Sequence, residues 1–299
     1  MSSVRAQVQR RRAPPGLVPL HPPEPAPERP EPVTAQGDPG RSDVDEWGRS
    51  ERVRALARRI YGPVYSRWFR TEWEGLDKIP AAGGALLVGN HAGAIPNDAP
   101  VIMHGIETEL GRPVYGLADY FFRSIPVIGT LWSRAGGVSA RPDNAYRLLH
   151  DQGQLALVFP EGTKGPSKSY SDRYQLCRFG RGGFVEIAMR AGVPVVPITI
   201  VGSEETMPVL WQVPRIAHAL GIPYFPVTAN VLVMGPIGAI VPFPAKLRLR
   251  VLEPVTFDVE VDQDRYPKSK VMEESERIRQ TMQAAIYDML SHRRSIWFG

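Results

Sequence analysis

The chain has 299 residues, 43% of them hydrophobic and 22% charged, with a formal net charge of +5 and a pI near 9.4. That length can bury a sizeable core, and the basic balance favours anionic partners such as nucleic acid, anionic lipid or a polyphosphate. A lone cysteine, Cys177, excludes an intrachain disulfide and a zinc-binding pattern and fits a reducing compartment. No apolar run reaches the roughly 18–20 residues needed to span a bilayer.

Taken in chain order, residues 1–45 come first. Ten of the 30 prolines fall in the first 40 residues, together with Arg10-Arg11-Arg12 and few large apolar side chains. Such a segment cannot bury enough surface to offset its ordering entropy, so a disordered tail is predicted. It has no continuous apolar stretch and does not read as a signal peptide. Residues 46–70 follow as an amphipathic helical segment. Val53, Leu56, Ala57, Ile60, Tyr61, Val64 and Trp68 recur at helical steps and should share one face, with arginines 49, 52, 54, 58, 59, 67 and 70 around it. Gly62-Pro63 should kink the run. The helix fits either an interfacial membrane contact or a face packed on the body of the protein.

From residue 71 to 299 strands and helices alternate as one domain. Ala85–Val88, Val114–Ala118, Leu155–Phe159 and Val195–Val201 read as strands, with a short extended piece at 135–138 and late strands at 245–251 and 255–257. Residues 98–110, 143–152, 182–191 and 268–292 read as helices. The short apolar run at 237–244 reads as a further buried strand. The pattern predicts an α/β fold with a mixed, mostly parallel central sheet flanked by helices, the site lying on strand-end loops.

Two loops carry chemistry. Gly89-Asn90-His91-Ala92-Gly93-Ala94-Ile95-Pro96-Asn97-Asp98 lies between a strand and a helix. A histidine there suits a general base, and Asp98 can fix its tautomer. Phe159-Pro160-Glu161-Gly162-Thr163-Lys164 ends another strand. Gly162 allows close approach of a ligand, Glu161 can accept from hydroxyls, and Thr163 and Lys164 can donate to phosphate or an oxyanion. Taken singly, His91 also fits a turn, Asp98 a helix N-terminus and the second loop a strand-to-turn transition.

The order of four blocks sharpens this. The His91 loop, Gly136-Gly137-Val138-Ser139-Ala140-Arg141, Phe159–Lys164 and Gly192-Val193-Pro194-Val195-Val196-Pro197 follow one another. Together they resemble the glycerolipid (lysophospholipid) acyltransferase superfamily, the phosphatidic-acid-synthesising type, from about residue 72 to 257. Phe179-Gly180-Arg181-Gly182-Gly183-Phe184 and Val201-Gly202-Ser203-Glu204-Glu205 resemble the branch related to mono- and diacylglycerol acyltransferases.

The resemblance implies His91 as the base, Asp98 as its orienting acid, Arg141, Glu161 and Gly162 as acceptor-holding residues, and Thr163 and Lys164 where the family has Thr or Ser, then Arg. Pro197 would help shape an acyl pocket. The family's usual first block sets four residues between His and Asp; here Pro96 takes that position and the acid comes two residues later, with Asn97 as an alternative partner. The expectation is direct transfer of an acyl group from acyl-CoA, a co-substrate rather than a cofactor, to a glycerolipid hydroxyl, without metal or acyl-enzyme. The acceptor is open between a lysophosphatidate or glycerol phosphate and a neutral mono- or diacylglycerol. A non-catalytic membrane-surface lipid-binding protein and a nucleic-acid binder are the competing classes, the last resting on charge alone and set aside as a partner. The resemblance also implies a cytoplasmic enzyme, peripheral on the inner face of the cell membrane and contacting anionic lipid.

Overall fold

The computed structural model describes residues 43–299 except 96, 119–127 and 264, so the tail expected over 1–45 lies outside the described residues up to position 42. Asp43–Ser50 is already tied into the body. Asp43 accepts from the Arg52 amide at 2.9 Å and from Ser50 Oγ, and Trp47 Nε1 donates to Gln152 at 2.7 Å.

Helix α1, Glu51–Pro63, starts where Ser50 accepts from the Val53 amide. Pro63 does not break it. The chain continues as a π-helical turn over Val64–Trp68, which absorbs the missing amide by widening the hydrogen-bond spacing. Strand β1 (Glu72–Glu74) and strand β2 (Ala85–Gly89) come next, then α2 (Asp98–Glu109), β3 (Val114–Ala118), α3 (Ile128–Arg134) and β4 (Gly137–Ser139). Helix α4 (Pro142–Tyr146) runs into a second π-helical turn at Arg147–Asp151, followed by β5 (Leu155–Val158), α5 (Gly183–Ala191) and β6 (Val195–Val201). Between β6 and the next strand of the main sheet lies a lobe absent from the sequence-based expectation. It contains the one-turn α6 (Ser203–Thr206), β7 (Val209–Gln212), α7 (Pro214–Leu220), β8 (Pro226–Thr228), α8 (Ala229–Met234) and a 3₁₀ turn at Gly235–Ala239. Strand β9 (Arg248–Val251) and the long α9 (Lys268–Ser291) complete the chain.

The main sheet has seven strands in the order β1-β9-β6-β2-β5-β3-β4, all parallel pairs except the antiparallel β6–β9. The α/β fold with a mixed, mostly parallel sheet is therefore as read from the sequence. Both faces are apolar, as a parallel sheet requires. Leu86 and Val88 face α5 and α9, through Val185, Met189, Met282 and Ile286. Ala85 and Leu87 face α2 and the end of the N-terminal helix, through Ile102, Ile106, Tyr65 and Phe69.

Three expectations are corrected. Residues 237–244 do not form a buried strand; Ile237 and Ile240 are exposed, on and just after a 3₁₀ turn. Residues 255–257 supply only an isolated bridge, Val255 to Val195. The predicted apolar face of residues 46–70 is split: Tyr61 and Val64 pack on the core, whereas Leu56 and Ile60 are 57% and 66% exposed.

Candidate active site

Strands β2, β5 and β6 are adjacent and parallel, so their C-terminal ends lie at one edge of the sheet. This is the edge at which open α/β sheets bind ligands. His91 follows β2, Glu161 follows β5, and Ser203 follows β6.

His91 is held by three contacts, two of them to its ring. Its Nδ1 lies 3.0 Å from Asp98 Oδ2. Its face stacks on Phe159, with centroids 4.2 Å apart and planes 16° from parallel. Its backbone amide donates to Glu161 Oε1 at 3.0 Å. Two glycines permit this packing. A Cβ on Gly89 would stand 2.7 Å from the Phe159 ring, and one on Gly165 would stand 2.5 Å from the His91 carbonyl oxygen. The side chain keeps 15% exposure. With Nδ1 bonded to a carboxylate, Nε2 is the nitrogen left to take a proton.

Asp98 is buried in the first turn of α2, where the helix amides favour negative charge. It accepts from His91, from the Ala92 amide at 2.8 Å, and from Ser203 Oγ. The longer spacing thus still brings acid to imidazole. Gly93, at φ +78°, turns the loop back so that Asp98 reaches Ala92 and His91. Asn97 instead donates to the Ile95 carbonyl at 3.4 Å.

Glu161 is buried, and its oxygens lie on protein donors: the His91 amide, the Cys177 amide at 2.8 Å, and Lys168 Nζ at 3.4 Å. Lys168 also reaches Glu204 at 3.3 Å. Burial works against the Lys168 charge, but Glu161 and Glu204 outweigh it and hold the ammonium above its ordinary value. Burial outweighs Lys168 at Glu204 and pushes that carboxyl up to about 7. Burial, and then Glu161, also push the Cys177 thiol up, which disfavours the thiolate a nucleophile needs.

Gly162, Thr163 and Lys164 form an exposed 3₁₀ turn beside His91. Arg141 caps the start of α4, its side chain exposed, just beyond β4. Strand β4 is three strands from β2, so Arg141 stands about 14 Å across the same sheet edge. Pro197 lies buried inside β6, opposite Val88. The structure therefore brings His91, Asp98 and Glu161 into one bonded group, with Gly162–Lys164 at its margin and Arg141 apart.

Two polar side chains of the group had no role in the sequence reading. Ser203 stands within the Val201–Glu205 run, and its position two residues after a buried strand is the one signal the sequence carries for it. Lys168 sits in a loop with no distinguishing pattern.

Residues 70–201 match the family model described as Acyltransferase. An uncharacterized protein of Mycobacterium tuberculosis is 39% identical over 263 residues, covering 87% of this chain and 73% of its own. The DGAT1/2-independent enzyme synthesizing storage lipids of Homo sapiens is 26% identical over 226 residues, covering 73% of this chain and 61% of its own. The crystal structure of the 1-acyl-sn-glycerophosphate (LPA) acyltransferase PlsC from Thermotoga maritima aligns with a TM-score of 0.50 at 22% identity, covering 82% of this chain and 80% of that one. This last likeness is one of fold.

Proposed function

The chain belongs to the acyltransferase family, and we propose that it transfers a fatty acyl group from acyl-CoA to the hydroxyl of a glycerolipid acceptor, with His91 as the general base. The observation that carries this reading is the 3.0 Å contact between His91 Nδ1 and a buried Asp98 at the ligand-binding edge of the sheet. A lipid hydroxyl has too high a pKa to attack a thioester unaided. As its oxygen forms a bond to the thioester carbon, His91 Nε2 takes its proton, and Asp98 stabilises the imidazolium. The oxyanion then collapses, the C–S bond breaks, and the coenzyme A sulfur leaves as a thiol with the proton that His91 returns. Transfer is direct, with both substrates bound together and no acyl-enzyme; the raised Cys177 thiol agrees with this.

The acceptor is a lysophosphatidate or glycerol phosphate. Lys164 and Arg141 are exposed at the sheet edge and would meet a phosphate, with Thr163 and the Gly162 backbone beside the reacting hydroxyl. A neutral mono- or diacylglycerol is the second reading, favoured by the similarity to an enzyme named for storage-lipid synthesis. The enzyme would work peripherally on the inner face of the cell membrane, against anionic lipid.

Replacing His91 by Ala tests the mechanism. With the fold intact by circular dichroism, transfer from radiolabelled acyl-CoA should fall about 10²–10⁴-fold; an undiminished rate would remove His91 as the base. Lysophosphatidate and diacylglycerol assayed side by side decide the acceptor.

A further inference from the structure

The lobe between β6 and β9 is built inside out. Asn230 is fully buried, and its Nδ2 donates to the carbonyls of Thr206 and Val241, each at 3.0 Å. Around this polar centre the apolar side chains point outward: Leu232 is 60% exposed, Val233 75%, Ile237 59% and Ile240 72%. Trp211 on β7 is half exposed. These residues share one knob, because Gly238 approaches the Asn230 carbonyl so closely that a Cβ would sit 2.1 Å from it. An apolar patch of this kind in water marks an interaction surface.

Three observations say what covers it. The lobe carries no negative charge: no aspartate or glutamate occurs between Glu205 and Glu253, while the exposed Arg215 lies within it. Exposed tryptophans adjoin it. Trp68 Nε1 donates to the Pro242 carbonyl at 3.1 Å, and Arg70 joins the Pro244 and Trp297 carbonyls at 2.6 and 2.5 Å. Tryptophan and arginine together are the usual furniture of a membrane–water interface. The lobe also abuts the His91 loop. Met207 and Val209 pack on Ala94, Tyr224 Oη donates to the Ala94 carbonyl at 3.1 Å, and Gln212 donates to the Ser167 carbonyl at 3.0 Å.

We propose that residues 207–245 are the surface this enzyme lays on an anionic bilayer. Leu232, Val233, Ile237 and Ile240 enter the acyl region, and Trp211, Trp68 and Trp297 lie at the interface. The lipid then reaches His91 along the Ala94 contact without crossing water. This rests on the glycerolipid reading for its purpose, but the surface itself is testable apart from it.

The test is flotation of the full chain with vesicles of phosphatidylcholine and phosphatidylglycerol, alongside transfer to a monomeric short-chain acceptor. The double variant Val233→Asp/Ile240→Asp should lose vesicle binding at least tenfold while keeping short-chain transfer, which also reports that it has folded. Its control, Leu56→Asp/Ile60→Asp on α1, should bind like the wild type. The proposal is overturned if the wild type does not float, if the lobe variant floats equally well, or if only the α1 variant loses binding. A change in oligomeric state by light scattering, with flotation unaltered, would make the lobe an interface between copies and overturn it too. Vesicle binding as expected, with no transfer to any acceptor, would instead defeat the glycerolipid reading and leave the surface standing.

Discussion

Asp98 takes hydrogen bonds from three donors, and the one contributed by Ser203 comes from 105 residues away. Ser203 acts through Asp98 and so positions the base. Removing it takes away one hydrogen bond to a charged group, an interaction of about 1.5–3 kcal/mol. Ser203→Ala should lower kcat roughly tenfold or more. A less neutralised Asp98 strengthens the imidazolium, so the acidic limb of kcat/KM should move to higher pH; a limb that stays put would make Ser203 structural only. Asp98→Asn should cost more, because an amide cannot accept from all three donors. His91 and Asp98 were legible in the sequence because they lie seven residues apart in one loop. Ser203 and Lys168 were not, because their roles exist only once β6 lies beside β2 and the Lys168 loop folds over Glu161. Glu161 was legible as a site residue, yet its buried oxygens rest on the His91 and Cys177 amides, a placement that no motif encodes.

Helix α1 shows how tertiary contacts overrule periodicity. Its spacing predicted one apolar face, for a membrane or for the body, but α2 offers a buried carboxylate on the side that meets the body. Glu107 is 3% exposed and bonds Arg49, Arg54 and Arg58. An isolated buried charge is costly enough to turn the helix's basic side inward, which leaves Leu56 and Ile60 outside. Nothing local signals a pairing across 53 residues. Removing one member of such a group strands its partners. Glu107→Ala should therefore destabilise the protein by about 3–5 kcal/mol, read as a fall in Tm and early exposure of α1 to protease. The four central strands β2, β3, β5 and β6, by contrast, were legible almost to the residue, since strands buried on both faces appear as unbroken apolar runs; the edge strand β1, Glu72-Trp73-Glu74, carries no such run and was not legible. The lobe was not, because proline and glycine interrupt its short elements and its apolar residues face outward.

For the molecule as a whole, pH should act on stability through Glu204. Its folded value of about 7 lies above the ordinary 4.5, because burial disfavours the anion. Between those limits the folded state holds a proton that the unfolded state has released, so stability falls as pH rises from about 4.5 to 7 and levels off above. Glu204→Gln removes this slope, and the Tm of the variant relative to wild type should rise across the same window, equivalent to about 1–3 kcal/mol. A constant difference would show that Lys168 offsets the burial in full.

The strand order has one more consequence, which concerns synthesis. Strand β9 sits between β6 and β1, paired with Ile198–Val201 on one side and Glu72–Glu74 on the other. While the chain is being made, β2, β5 and β6 can associate, but β6 keeps a bare row of amides and carbonyls until residues 248–251 emerge. At about 5–20 residues per second that interval lasts roughly 2–10 s, and the apolar lobe is made within it. An open strand edge next to greasy, newly exposed chain is a template for misassembly, so the growing polypeptide should depend on a chaperone, or on a nearby membrane, most strongly in those seconds.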